Sequence, residues 1–130
     1  HIANSITDAE HFLILQPTSP LRHPNLIDEC IEEYMKGDYD NLATGYPCKS
    51  LKFGTHNNLR RQAYEGFFTD DGNLYILNRA LALEGRWYGD NICKKVIAKE
   101  QNYEIDDEID FIVLESLMQQ RFLQQSLGNS

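Results

Sequence analysis

Pro17 and Pro20 bracket Thr18-Ser19 directly after a short apolar run, His11-Phe12-Leu13-Ile14-Leu15, and this junction restricts the fold more than any other stretch. Neither proline fits a helix interior, where each would remove a hydrogen bond and clash with the turn before it. The run ahead of them is too short for a helix and reads as a buried strand, of the kind found in parallel sheets. Pro24 then opens a helix at a position where a missing N–H is harmless. Leu26, Ile27, Cys30, Ile31, Tyr34 and Met35 recur at helical spacing, with Asp28, Glu29, Glu32 and Glu33 opposite and Gly37 as the expected stop.

Further along, Asp40 to Tyr46 is expected to form a second strand, and Pro47 to Asn58 a polar loop. Asp71-Gly72 signals a turn ahead of a strand over Leu74-Tyr75-Ile76-Leu77. Arg79 to Glu84 suggests a short helix ended by Gly85, and Lys94 to Ala98 another strand. A last helix starts at Asp107 with Ile109, Ile112, Val113 and Leu117 on its apolar face, and Gln119 to Ser130 is expected to fray. Strands alternating with helices place the chain in the α/β class, with a mostly parallel sheet flanked by helices. Ligands in such folds gather beyond the carboxyl ends of the strands, where Gln16 to Arg22 and Glu104 to Asp106 fall.

The 130 residues suit one domain. A formal charge of −8, from 20 acidic and 12 basic residues, argues against a nucleic-acid surface, which needs clustered Lys and Arg. A protein of this sign that handles nucleotides would recruit a divalent cation. Cys30, Cys48 and Cys93 form no CxxC pair and are read as reduced thiols of a cytoplasmic protein. No apolar run approaches the ~20 residues of a membrane span, and no signal-peptide pattern is present. The chain opens on His1 rather than Met, so a cut or incomplete chain is expected.

Two segments carry chemistry. The stiff loop Gln16-Pro17-Thr18-Ser19-Pro20-Leu21-Arg22 can hold an amide, two hydroxyls and a guanidinium in fixed directions, as sugar recognition requires; it can equally be a connector whose hydroxyls satisfy backbone groups. In extended Glu104-Ile105-Asp106, both carboxylates point to one face and Ile105 to the other. Hard oxygens of this kind suit Mg²⁺ bridged to phosphates. The neighbouring Asp107, Glu108 and Asp110 also favour a helix N-terminus electrostatically. No residue stands out as a general base, and His11, His23 and His56 lie in ordinary surface contexts.

The string LQPTSPLR, Leu15 to Arg22, resembles a motif of the acylneuraminate cytidylyltransferases, which join CTP to a sialic-acid-like sugar. The segment around Glu104 and Asp106 is similar to that family's metal-binding stretch, SIDIDTxxD, with Glu in place of the first aspartate. Arg61-Gln62 and Asp71-Gly72-Asn73-Leu74-Tyr75-Ile76 resemble its Arg-Gln and NGAIYI segments, Asp71 standing where the family carries a sugar-binding Asn. Pro47-Cys48-Lys49 resembles its Pro-Leu-Lys, and Trp87-Tyr88 falls where it carries an aromatic pair.

The resemblance runs from Leu15 to about Glu115. It implies that Gln16, Arg61, Asp71 and Tyr75 contact the sugar, with Arg61 on its carboxylate. Lys49, Trp87 and Tyr88 would reach the neighbouring subunit's site in a homodimer, and Glu104 and Asp106 would hold Mg²⁺. It further implies a partial Rossmann-like domain with its N-terminal strands missing. The family binds CTP through an N-terminal Gly-, Arg- and Lys-rich stretch, which this chain does not contain. The expected function is therefore transfer of CMP from CTP to a nonulosonic acid, with the chain inactive alone. The alternative is a non-catalytic module derived from that family, one that binds a sugar or CMP-sugar or serves oligomerisation.

Overall fold

The computed structural model describes residues 9–19, 21–55 and 64–128, with side chains to residue 125. The apolar run forms β1 (His11–Leu15) and the amphipathic segment α1 (Leu26–Lys36). There follow β2 (Asn41–Cys48), β3 (Phe67–Asn78), α2 (Arg79–Glu84) and β4 (Ile92–Val96). A 3₁₀ turn (Lys99–Asn102) leads into α3 (Glu108–Gly128). The α/β class is as the alternation predicts.

The sheet order is β1-β3-β2-β4, and the expectation of a mostly parallel sheet is overturned. β3 pairs antiparallel with both β1 and β2, and only β2 and β4 are parallel. The reason lies in the direction and the place of one strand. β1, β2 and β4 all run the same way, but β3 runs the opposite way and separates β1 from β2. Alternation of elements records neither that reversal nor which strand slips between two others.

Asp71-Gly72 makes no hairpin. It lies inside β3, where the register jumps from Ala43↔Tyr75 to Gly45↔Asp70, so Thr44 alone faces the stretch from Asp71 to Leu74. Gly72 has φ 75°, the left-handed backbone that glycine adopts without a Cβ penalty. The Thr44 hydroxyl bridges the break, accepting from the Leu74 N–H at 3.1 Å and donating to Asp71 Oδ1 at 2.7 Å. β2 also continues through Pro47 and Cys48, which pair with Phe68 and Phe67 and are not a loop. β4 lies two residues earlier than the expected Lys94 to Ala98.

α1 covers one face of the sheet. Leu26, Cys30 and Tyr34 pack on Leu42, Leu74, Ile76, Cys93 and Ile97. Leu42 and Leu74 are fully buried, and truncating either would cost about 2–5 kcal/mol. α2 ends at Gly85 as its sequence predicts, and Asn78 holds its start. Asn78 accepts from the Leu81 N–H at 2.9 Å, and Gly85 closes the helix in the left-handed conformation.

α3 departs from expectation twice. It runs on to Gly128 where fraying was expected from Gln119, and its buried residue is Leu114, while Ile109 and Ile112 are exposed. Phe111, Met118 and Phe122 are apolar as well and also exposed, so hydrophobic periodicity selects no single face on this helix. No described helix is long and apolar enough to cross a membrane.

Candidate functional site

A cleft of about 1040 Å³ opens where β1, β2 and β4 end. Gln16 and Thr18 border it after β1, Tyr46 and Pro47 at the end of β2, and Val96 and Ile97 at the end of β4. β3 contributes its N-terminal half, because it runs the other way, and so brings Asp70, Asp71, Gly72 and Tyr75 to the same rim. Glu104 and Asp106 close the cleft from the segment after the 3₁₀ turn. The carboxyl ends of the strands thus hold both segments that the sequence placed there.

Hydrogen bonds stitch the two segments together. The Ile105 N–H donates to the Thr18 carbonyl at 3.0 Å, so the proline loop carries the acidic strip on its back. Asn73, fully buried, is the hub beneath them. Its Nδ2 donates to the Gln101 carbonyl at 3.0 Å, and its Oδ1 accepts from Arg22 Nε at 2.7 Å. Arg22 also donates through one NH2 group to the carbonyls of Gln16 and Asn73, both at 3.2 Å. The guanidinium is therefore a brace for the loop, and it lies outside the cleft lining.

Glu104 and Asp106 share the cleft wall, while Ile105 turns to the opposite side, among Phe111, Leu114 and Met118. Glu104 packs so closely over Gly72 that a Cβ there would lie 1.8 Å from Glu104 Oε1. Burial raises the Glu104 pKa, and the charges of Asp106, Asp71 and Asp70 raise it further. Asp71 is 6% exposed, and burial raises its pKa too, against hydrogen bonds from Asn73 and Thr44 that lower it. Its Oδ1 takes both donors, and Oδ2 is buried without a partner among the described residues. The Tyr75 hydroxyl donates to Asp70 Oδ2, and burial followed by that bond pushes its pKa up.

The cleft is also lined by the apolar and aromatic side chains of Tyr46, Pro47, Tyr75, Tyr103 and Val96. Lys99 is the single basic residue among the described residues that line the cleft. Carboxylate acceptors and flat rings lining one cleft suit a polyhydroxylated ligand, and the volume matches the upper end of ligand pockets, roughly 300–1,000 Å³.

Of the residues singled out in the sequence, the structure brings Gln16, Asp71, Tyr75, Glu104 and Asp106 to this cleft. Trp87 does not line it but sets its ring edge-on to Tyr75 at 5.0 Å, while Tyr88 is exposed and does not line it. Lys49 is exposed and also outside the lining. Arg61 and His56 lie outside the described residues. Thr44, Asn73 and Asp70 matter to the site and were not anticipated. Asn73 and Asp70 flank the Asp71-Gly72 pair and could have been suspected, whereas nothing in the sequence points from Thr44 to Asp71.

Among the described residues, no three His, Cys, Asp or Glu side chains converge closely enough to hold a metal. Mg²⁺, however, is commonly bound through one or two carboxylates plus substrate phosphates, and Glu104 and Asp106 supply that donor set. The cleft's carboxylates fit such a cation chemically.

No protein-family profile matches the chain. The chain is similar to N-acylneuraminate cytidylyltransferases. Those of Streptococcus agalactiae serotypes III, Ia and V are each 28% identical to it over 123 residues. The match covers 81% of this chain and 29% of each of those proteins. This distant likeness suggests a nucleotidyltransferase-like family, and the chain spans under a third of the length of the curated relatives it matches.

Proposed function

We propose that this stretch forms the sugar- and metal-facing wall of a CTP-dependent cytidylyltransferase acting on a nonulosonic acid. The observation that carries the reading is the joining of the LQPTSPLR loop to Glu104 and Asp106 by the Ile105–Thr18 hydrogen bond, on one cleft at the strand ends. The likeness to the streptococcal enzymes supports the same chemistry from the sequence side.

In this reading the sugar's anomeric hydroxyl attacks the α-phosphate of CTP, and pyrophosphate leaves. Glu104 and Asp106 hold Mg²⁺, which supplies charge stabilisation at the phosphates when bound. Gln16 offers an amide that both donates and accepts, and Tyr75, braced by Asp70 and Trp87, gives the sugar a ring face. Fixing the sugar in this way converts orientation into rate. Arg61 is assigned to the sugar carboxylate, which a guanidinium grips through two parallel hydrogen bonds. Lys49, Trp87 and Tyr88 belong to the cross-subunit contacts of a homodimer, and a cytoplasmic setting goes with the same reading.

Among the described residues that line it, the cleft sets Asp70, Asp71, Glu104, Asp106 and Asp110 against Lys99, a balance that repels a triphosphate unless a cation intervenes. That imbalance also favours a second reading, a non-catalytic module that binds the sugar and has lost nucleotide chemistry. Calorimetric titration of a CMP-nonulosonate into the full-length protein, with Mg²⁺ and then with chelator, tests the first. Binding that requires Mg²⁺ and weakens at least tenfold in Glu104→Ala supports it. Binding indifferent to both metal and Glu104 removes the metal-assisted reading and leaves the module.

A further inference from the structure

Lys99 stands apart from the other charged groups of the cleft. It opens the 3₁₀ turn Lys99–Asn102, lines the cleft and is exposed to solvent. The turn that carries it is fixed on both sides. Gln101, 4% exposed, accepts from the His23 N–H through Oε1 at 2.8 Å, and its carbonyl accepts from Asn73 Nδ2 at 3.0 Å. Glu100 Oε1 lies 3.1 Å from His23 Nε2. The ammonium of Lys99, by contrast, makes no ion pair among the described residues, although Asp70, Asp71, Glu104, Asp106 and Asp110 line the same cleft.

We propose that Lys99 is a nucleotide-phosphate contact of this cleft: its ammonium donates to a phosphate oxygen of CTP. The inference rests on the cytidylyltransferase reading and adds a binding residue that the reading does not assign. Within the described lining, this ammonium is the one positive charge of the protein that a polyanion meets, and the surrounding carboxylates oppose its entry everywhere else. Because the ammonium is unpaired, no internal ion pair has to break when a phosphate arrives. The anchored turn holds the backbone of Lys99 in place, so only its side chain is ordered on binding.

The chemistry of the side chain selects phosphate over carboxylate. An ammonium is a compact point charge with three rotatable donors, and lysine binds phosphates in that way. A carboxylate is matched by the planar fork of a guanidinium, the role already assigned to Arg61. Lys99 also shares its cleft with Glu104 and Asp106, so phosphates drawn to a cation on those carboxylates enter the space that the ammonium lines.

The test is steady-state pyrophosphate release by the full-length protein, with CTP and the nonulosonic acid varied separately, in native, Lys99→Gln and Lys99→Arg forms. Binding of CTP with Mg²⁺ and no sugar is measured alongside by titration calorimetry, and the melting midpoint of each form is recorded. Lys99→Gln is expected to weaken CTP binding and raise the KM for CTP at least tenfold, with the KM for the sugar within about threefold of native. Lys99→Arg keeps the charge and is expected to stay within about threefold of native on both substrates. Unaltered CTP binding in Lys99→Gln overturns the inference. So does a rise confined to the KM of the sugar, which would put the ammonium on the sugar carboxylate. A loss on both substrates with a lowered melting midpoint overturns it as well, by marking a structural role. A native protein that binds no CTP and turns over no sugar instead overturns the cytidylyltransferase reading, and the inference falls with it.

Discussion

Thr44 and Asp71 lie on neighbouring strands, and the 2.7 Å hydrogen bond between them holds together the one place where the β2–β3 ladder is interrupted. Backbone pairing fails across the bulge, and a hydroxyl takes its place, bonding the Leu74 N–H on one side and a buried carboxylate on the other. The site is built on that repair, since Asp71 and Glu104 both reach the cleft around Gly72.

Thr44→Val keeps the shape of the side chain and removes the hydroxyl. It strands the Leu74 N–H and takes away one of the two donors to Asp71 Oδ1, each at a cost of about 1–3 kcal/mol. A loss of about 2–4 kcal/mol in urea unfolding is expected, with Thr44→Ser recovering most of it.

Gly72→Ala meets two obstacles. The left-handed backbone costs an L-residue about 1–2 kcal/mol, and the added methyl collides with Glu104 Oε1. Because that carboxylate must move, the expected result is a loss of Mg²⁺-dependent binding at least as large as that of Glu104→Ala, seen by titration calorimetry. A stability loss with unaltered cation dependence would show that Glu104 has another place to go.

Arg22→Lys keeps the charge and abandons the fork that grips Asn73 Oδ1 and two carbonyls. It is expected to lower stability by about 1–3 kcal/mol, as breaking charged hydrogen bonds does, and to raise KM for the sugar by loosening the Gln16 loop. Thermal unfolding and steady-state kinetics check the two halves separately.

The pH dependence of stability follows from Asp71 and Glu104, whose folded pKa values are raised above the ordinary 3.8 and 4.5, chiefly by burial. A raised carboxyl binds its proton more tightly when folded, so its stabilising contribution is complete below the unfolded pKa. That contribution is lost as pH rises through the folded pKa. Stability contributed by this pair is therefore expected to fall as pH climbs from about 4, with Asp71→Asn flattening the decline. Mg²⁺ binds only the ionised groups and should raise the melting midpoint more at pH 7 than at pH 4.5.

The sequence disclosed more of the site than of the sheet. The prolines at 17 and 20 end a strand whatever surrounds them, and the two-residue spacing of Glu104 and Asp106 puts both on one face of any extended segment. These features are local, and Gln16 and Thr18 beside Pro17, with Glu104 and Asp106, line the cleft. The place of β3 between β1 and β2 is a matter of pairing between distant segments, which alternation of elements does not record. Asp71-Gly72 misled for a related reason: a glycine with positive φ serves a bulge as well as a turn, and Thr44 on another strand decides between them. On α3, apolar residues all round the helix left Leu114 indistinguishable from Ile109 and Ile112.

The most direct test of the account is pyrophosphate release from CTP and Mg²⁺ with a range of nonulosonic acids, using the full-length protein beside its Glu104→Ala variant. Release with at least one sugar, falling a hundredfold or more in the variant, is the predicted result. A folded full-length protein that releases none with any sugar, or a Glu104→Ala protein as active as the native one, would contradict it.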